Sequence, residues 1–307
     1  MEGKAQNKLL EHQATDAKTK KLFAHLRKNG EWTKRDDVMI KYLNRHGKLT
    51  IGYGSRDRTG VELQMGHTLG DHFEEPVLLI KTAWGGHSLY QKFRSPSAGL
   101  PADEKLTEEL QKAQIRTKNN NEKRKKNDPI PTMEDIKAAY GVSWREMLKE
   151  VRETLENYET LFPSLKGTTP TIAGFVWFQG WNDQYNGAET EYASNMKYFI
   201  KDVRKEFKSS ELPFVIGVMG QNGSKEAKGA MKVIQEAQVA MEELPRVRAV
   251  RTDVLIDKAA EALYPSWKKN FEEWEKTGSD HAYHYLGSAI WFNRMGKGFA
   301  DALLELR

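Results

Sequence analysis

Strand-like and helix-like segments alternate along residues 172–254, and this alternation constrains the fold more than any other feature of the sequence. Apolar runs of strand length lie at 172–178, 214–219 and 247–254, and the stretches between them, 189–207 and 224–244, have the spacing of amphipathic helices. Such alternation predicts a parallel sheet joined by right-handed crossovers, with helices on both faces. We therefore expect one α/β domain over residues 1–307, built as three layers around a mainly parallel sheet.

Other segments extend this scheme. Their patterns predict a peripheral hairpin of Val38–Leu43 and Leu49–Tyr53 with Gly47 in its turn, a helix at 62–73, a strand at 77–83, a helix at 132–160 and a closing helix at 286–306. Ser224 is a candidate N-cap for the helix at 224–244. Residues 101–128 are strongly charged and form the expected insertion, and the three consecutive Asn at 119–121 favour an exposed loop there.

Composition excludes several classes of protein. The chain has no cysteine, which removes disulfides, thiolate metal sites and cysteine nucleophiles. The mean hydropathy is −0.72 and no run approaches a membrane span, so we expect no membrane partner. The net charge is +5, and basic residues concentrate in 116–126. Because no aromatic residue is interleaved there, a solvated insertion is favoured over a nucleic-acid patch.

Polar residues follow the central strand directly. Gln179, Gly180, Asn182 and Asp183 come where an open parallel sheet delivers its strand ends to a ligand crevice. An ordinary turn is the competing interpretation, because Gly, Asn and Asp are common turn formers. The strand at 77–83 likewise ends in glycines, at Trp84-Gly85-Gly86.

Standard motifs give weaker indications. Gly217, Gly220 and Gly223 follow a strand as a phosphate-binding loop would, but their spacing argues against a flavodoxin-like nucleotide binder. His281 and His284 near Asp280 are possible metal ligands, although an acid–base pair explains them equally well and a third strong ligand is not evident. We expect no cofactor and no metal.

Three blocks of sequence together resemble the sialate O-acetylesterases and carbohydrate esterase family 6, a group of SGNH hydrolases. The blocks are Lys81–Gly86, Trp177–Asp183, and Asp280 with His284–Ser288, and their order and spacing fit along nearly the whole chain. The resemblance implies the flavodoxin-like SGNH fold. It also implies hydrolysis of acetyl esters on sugar hydroxyls through an acyl-serine intermediate, with an acetylated carbohydrate as substrate.

The resemblance also implies roles for particular residues. His284 is the general base and Asp280 its orienting partner, although SGNH enzymes commonly carry Asp three residues before the His, where this chain has His281. Gly86, through its N–H, and Gln179 or Asn182, through the side-chain amide, form the oxyanion hole. Flat aromatic rings suit the apolar faces of sugars, so Trp84, Trp181 and Tyr185 are the candidate substrate-binding residues.

One part of the family pattern has no counterpart in this sequence. The family's nucleophile lies in a Gly-Gln-Ser-Asn-Met segment after the first strand, and Met1-Glu2-Gly3 resembles the continuation of that segment. The sequence thus predicts a fold with its first strand missing and no nucleophilic serine. A start placed at an internal Met and a clipped or degenerate relative are both compatible, and a full-length parent is expected to be secreted or periplasmic. Ser88, which follows the Gly85-Gly86 turn, is a possible replacement but more typical of a cap.

The missing serine leaves two functions open. The first is a carbohydrate acetylesterase, and the second is a non-catalytic carbohydrate-binding relative whose crevice survives without a nucleophile.

Overall fold

The computed structural model describes all residues, 1–307, as a mixed α/β protein. Its strands are β1 (Ala5–Gln6), β2 (Arg27–Lys28), β3 (Glu31–Trp32), β4 (Val38–Tyr42), β5 (Arg45–Lys48), β6 (Arg58–Thr59), β7 (Val77–Lys81), β8 (Phe175–Trp177), β9 (Phe214–Val218) and β10 (Val247–Arg251). Its helices are α1 (Asn7–Thr15), α2 (Lys20–Phe23), α3 (Glu62–His72), α4 (Asp103–Arg124), α5 (Met133–Ala138), α6 (Val142–Leu161), α7 (Tyr192–Glu206), α8 (Gly229–Ala240), α9 (Lys258–Leu263), α10 (Phe271–Trp274) and α11 (Ala289–Glu305). None of these helices is both long and apolar enough to cross a lipid bilayer.

The alternating region forms a parallel sheet, as its sequence predicts. The strand order is β10-β9-β8, and both pairings are parallel. Every residue of β9 is buried. Val215 packs in the same cluster as α11, whereas Phe214 and Ile216 pack in the cluster of α7 and α8, so helices cover both faces of this strand.

A second sheet has the order β5-β4-β7 and contains the hairpin that the sequence places at the periphery. That expectation is wrong, because β4 is mostly buried and pairs in parallel with β7. The returning strand is Arg45–Lys48, and the turn lies at Leu43-Asn44, so Gly47 belongs to β5. The mostly apolar run of Val38–Tyr42 is typical of a strand that is buried on both faces, and it therefore indicates an inner strand and not a surface hairpin.

The expected continuous sheet is divided between these two units. β7 pairs only with β4 and β8 only with β9, so each is an edge strand of its own sheet. Most residues of both strands are half-buried, in contrast to β9. Two consecutive residues reach both strand ends: the Lys81 Nζ of β7 donates to Glu2 O at 2.6 Å, and the Met1 N donates to Phe178 O, just after β8, at 2.7 Å.

The charged insertion is a helix and not the loop that its Asn residues favour. α4 covers Asp103–Arg124 and buries only Leu106. Glu, Gln, Lys and Arg have good helix propensity, and they outweigh three Asn within 22 residues. The helix ends at Lys125, which takes a left-handed conformation, and the Asn121 side chain caps the following turn by accepting from Asp128 N at 3.0 Å.

Two other helix boundaries differ from expectation. The helix expected over 132–160 is broken at Gly141, whose φ of +69° and close approach to Arg94 O leave no room for a Cβ, so α5 and α6 are separate. Ser224 does not cap α8, which begins at Gly229; its N–H and hydroxyl donate to Glu261.

Candidate active site

One cleft lies at the carboxyl ends of the parallel strands β7, β8 and β9. It has a volume of about 270 Å³, and it is lined by Met1, Glu2, Lys4, Trp84, Gly85, Gly86, His87, Phe178, Gln179, Gly180, Trp181, Asn182, Met219, Gln221, Tyr283, His284 and Tyr285. The loops after β8 and β9 meet at one edge of their parallel sheet, and the loop after β7 of the second sheet joins them there, so segments far apart in sequence converge. Six of the residues to which the resemblance gives a role lie in this lining, namely Trp84, Gly86, Gln179, Trp181, Asn182 and His284. Tyr185 does not, and its side chain is 52% exposed outside the cleft.

Asp280 lies behind His284 and holds its ring. The His284 Nδ1–H donates to Asp280 Oδ1 at 2.9 Å, and Arg58 Nη1 donates to Asp280 Oδ2 at 2.5 Å. Burial raises the pKa of Asp280, but hydrogen bonds from His284 and the His281 N–H, with the charges of His284 and Arg58, outweigh it and set the pKa at about 2. An ionised carboxylate can only accept, so Nδ1 carries the proton and Nε2 keeps a free lone pair. Arg58 has no motif that would have identified it in the sequence.

The backbone after His284 is strained. Tyr285, Leu286 and Gly287 are consecutive left-handed residues, with φ of 56°, 58° and 56°. For a residue with a Cβ this conformation costs roughly 1–2 kcal/mol. The fully buried Tyr285 holds the segment in place, because its hydroxyl accepts from Gly220 N at 3.2 Å at the end of β9. This anchor fixes the direction in which the preceding His284 leaves the backbone.

Gly86 and Asn182 are two free amide donors of the cleft. Gly86 is exposed, has φ of +80°, and its N–H makes no backbone hydrogen bond. The Asn182 side chain lines the cleft and makes no hydrogen bond within the chain. Gln179 differs, since its Nε2 donates to His87 O at 3.0 Å and to Asp183 Oδ2 at 2.6 Å. Both N–H groups of Gln179 are therefore engaged within the chain, and its expected use as an oxyanion donor stays a prediction.

Asp183 connects the loops that carry these donors. It is fully buried, and it accepts from Leu89 N at 2.9 Å and Tyr90 N at 2.7 Å as well as from Gln179. Burial raises the pKa of Asp183 to about 6, against the opposing effect of these three hydrogen bonds. The carboxylate therefore fixes the loop after β8 against the loop after β7, a structural use that the sequence leaves undistinguished from turn formation.

A buried ion pair supports the opposite wall of the cleft. Lys81 Nζ donates to Glu62 Oε2 at 2.8 Å and to the carbonyls of Glu2 and Tyr53. Burial lowers the pKa of Lys81, and the Glu62 carboxylate opposes that shift. Breaking one partner of such a pair leaves an uncompensated charge, so the pair holds Glu2 firmly at the cleft.

Gln221 and Tyr283 line the cleft although the sequence did not single them out. The Gln221 Oε1 is buried without a hydrogen-bond partner. An unsatisfied buried acceptor costs about 1–3 kcal/mol, which a ligand donor would offset. Tyr283 packs edge-on against the His284 ring, with ring centroids 4.5 Å apart, and its centroid lies 5.9 Å from that of Trp181.

The residues that suggested a phosphate loop or a metal site have other contacts in the structure. Gly217 lies inside β9, where a Cβ would meet Phe178 and Phe299 at 2.6 Å, and the Gly220 N–H is bound to Tyr285. Packing therefore accounts for the glycine series that suggested a phosphate loop. His281 does not line the cleft, and its Nδ1 lies 3.2 Å from the Tyr264 hydroxyl. No three His, Asp or Glu side chains are grouped so that they could hold a metal ion.

Comparison with known proteins adds to this geometry. A family model described as carbohydrate esterase, sialic acid-specific acetylesterase, matches residues 1–263. A solved structure of an Arabidopsis thaliana protein is 15% identical, with a TM-score of 0.51 over 90% of this chain and 88% of that one. A carbohydrate acetylesterase from Xanthomonas citri is 14% identical, with a TM-score of 0.41 over 80% of this chain and 48% of that one. The Arabidopsis likeness shows a shared fold, and no curated protein matches.

Proposed function

Because the chain belongs to the carbohydrate esterase family of sialic acid-specific acetylesterases, we propose that its cleft hydrolyses acetyl esters of sugar hydroxyls. The observation that carries the proposal is the ionised Asp280 behind His284, in a cleft that also holds the free amides of Gly86 and Asn182. A base and two oxyanion donors around one space are the requirements of acyl transfer.

His284 acts as the general base and then as the general acid. Its Nε2 takes the proton of the attacking hydroxyl, and the imidazolium that forms is stabilised by the Asp280 carboxylate. When the ester C–O bond breaks, the same proton passes to the departing sugar oxygen. Arg58 keeps Asp280 ionised and correctly oriented throughout, since it binds the second carboxylate oxygen.

Gly86 and Asn182 stabilise the oxyanion. The backbone N–H of Gly86 and the side-chain amide of Asn182 donate to the carbonyl oxygen as it becomes negative. Each such donor is typically worth about 2.7–4 kcal/mol of transition-state stabilisation. Trp84 and Trp181 provide flat surfaces for the sugar, and Gln221 Oε1 accepts a hydrogen bond from a sugar hydroxyl.

The proposed nucleophile is the serine of the Gly-Gln-Ser-Asn-Met segment that the family resemblance implies. In this route the serine oxygen attacks the acetyl carbon, the sugar hydroxyl leaves, and water then releases acetate from the acyl-serine with His284 again as base. The side chains that line the cleft include no Ser, Thr or Cys. Ser88 lies outside the lining, where its Oγ accepts from Gln91 N at 3.1 Å as a turn cap.

That same observation favours a second candidate function. Without a nucleophilic side chain in its lining, the cleft would bind an acetylated carbohydrate and not cleave it. The free donors, the unpartnered Gln221 Oε1 and the tryptophans would serve binding alone.

The two functions are separated by adding the serine. The chain is extended before Met1 by an apolar strand that ends in Gly-Gln-Ser-Asn, and acetate release from an aryl acetate and from acetylated sugars is measured. We expect kcat of the extended chain to exceed that of the unextended chain by about 10⁴ or more, because removal of a triad member usually lowers kcat by that factor. His284→Ala and a Ser→Ala change at the added serine should abolish the gain.

Ser88→Ala is the matched control and should leave the extended chain as active as before. The unextended chain could instead hydrolyse the esters at typical enzyme rates and lose this activity with Ser88→Ala. That result would identify Ser88 as the nucleophile and contradict the proposal. Tight sugar binding with no hydrolysis by the extended chain would establish the binding function instead.

A further inference from the structure

Aromatic side chains continue from the cleft onto the surface. Tyr283 lines the cleft, and its ring stacks on His281 with centroids 5.1 Å apart and an interplanar angle of 20°. Trp267 meets His281 edge-on at 6.0 Å, and Phe271 lies 6.4 Å beyond Trp267. We call these four residues the aromatic ledge. Each ring of the ledge contacts the next, so the ledge extends from the proposed catalytic cleft to the protein surface.

The ledge is exposed although its supporting core is not. Tyr283 is 40% and Phe271 is 54% exposed, whereas Trp274, which packs under Trp267, is only 4% exposed. Trp267 is half-buried and packs against the same core cluster as Trp274, so the exposed part of the ledge is formed mainly by Tyr283, His281 and Phe271. Contiguous exposed rings are unfavourable in water unless something covers them, so they indicate a binding surface.

The edges of these rings carry polar atoms without partners. The Trp267 Nε1–H, the Tyr283 hydroxyl and the His281 Nε2 make no hydrogen bond within the chain, while Tyr264 holds His281 through Nδ1. A surface of flat apolar faces with free donors and acceptors at their rims matches a pyranose ring, which has an apolar C–H face and a rim of hydroxyls. A purely apolar partner would leave these polar atoms buried and unpaired.

We propose that the aromatic ledge is a second sugar subsite, which binds the unit glycosidically linked to the acetylated sugar. The inference rests on the proposed function and extends it. Continuity with the cleft determines the occupant: Tyr283 contacts both His284 and Trp181, so a sugar on Tyr283 adjoins the one whose ester lies at His284. The substrate is then an acetylated oligosaccharide and not an isolated sugar.

Binding of labelled chain to a glycan array that presents monosaccharides and oligomers of the same sugars tests this. We expect oligomers to be bound more tightly than the matching monomer, by about fivefold for each ring that stacks on a further unit. Trp267→Ala and Phe271→Ala combined in one variant should remove most of the preference for oligomers and leave monomer binding unchanged. Tyr198→Ala is the matched control, because Tyr198 is 41% exposed on α7, and it should keep the preference for oligomers.

Equal binding of monomers and oligomers, or an oligomer preference that survives Trp267→Ala and Phe271→Ala, would overturn the subsite. So would dimers in light scattering that disappear with Phe271→Ala, since the ledge would then contact a second copy. The variants are compared only where thermal unfolding shows them folded. Acetate release from an aryl acetate by the serine-extended chain is measured in parallel. If this reaction fails while oligomers still bind more tightly than monomers, the proposed esterase function is wrong and the subsite stands. If the reaction occurs but oligomers and monomers bind equally, the esterase function stands and the subsite is wrong.

Discussion

Arg58 binds Asp280 and helps to lower its pKa, although the two residues are 222 positions apart in the sequence. Its guanidinium also donates to Lys4 O at 2.8 Å, so one side chain joins Asp280 to the Lys4 segment that lines the cleft. No local pattern identifies such a residue, because its partner is chosen by the fold. Asp280 and His284, by contrast, are predicted from the sequence through the resemblance of their block to the esterase family, and the structure brings the two side chains within 2.9 Å.

Asp280 gives the protein a defined pH dependence. Its pKa is lowered from 3.8 to about 2 in the folded state, so the unfolded chain binds more protons between these values. Its stabilising contribution is therefore complete above about pH 4 and is lost as the pH falls toward 2, and we expect about 1 kcal/mol after allowance for solvent screening.

Urea unfolding from pH 2.5 to 6 checks this for the native chain and Asp280→Asn. The difference in unfolding free energy should shrink as the pH falls through this range. Asp301→Asn, which removes an exposed carboxylate paired with Lys297 on α11, is the control and should show a smaller pH-dependent difference. A difference for Asp280→Asn that stays constant down to pH 2.5 would contradict the assigned pairing.

At the scale of elements, hydrophobic periodicity predicted the helices and strands well wherever the apolar pattern of a segment matches its burial in the fold. The strand β9 and the helices α3, α7 and α11 lie close to their predicted ranges, because each has a continuous apolar run or stripe. The errors arose where tertiary context decides. β4 belongs to a buried sheet only because β7 pairs with it, and Gly141 breaks a helix because Arg94 O lies against it. The commitment of Gln179 to Asp183 likewise depends on a loop that only the fold brings near.

The outer half of α4 is expected to be dispensable. Deleting residues 117–128 removes a part of the chain with no buried side chain, and the ends to be joined are close, since Gln114 Nε2 donates to Pro131 O at 3.0 Å. We expect the unfolding free energy to change by less than about 1 kcal/mol. Urea unfolding followed by circular dichroism measures this, and a loss of cooperativity would show that α4 supports the fold. A deletion of 103–116, which removes the buried Leu106, is the contrasting variant and should destabilise more.

The whole molecule is divided at its centre. The two three-stranded sheets end in β7 and β8, whose free edges leave backbone groups without ladder partners. Met1 and Glu2 contact the carboxyl ends of both strands, since the Met1 amino group donates to Phe178 O and Glu2 O accepts from Lys81 Nζ. The single mainly parallel sheet and the three-layer, flavodoxin-like arrangement thus stay predictions, supported at β9 by helices on both of its faces.

A strand added before Met1 is therefore expected to pair with β7 and β8 together and to unite the two sheets. Satisfying two edges at once outweighs the entropy of ordering one short strand, and we expect the unfolding free energy to rise by about 3 kcal/mol. The same extension with two prolines in the strand is the matched control, because proline cannot donate to a ladder and should give no gain. Urea midpoints measure the stability, and amide hydrogen exchange should show new protection confined to Val77–Lys81 and Phe175–Trp177. If the extended chain and its proline control unfold at the same midpoint, with these amides exchanging equally fast, the two edges do not face a common strand position.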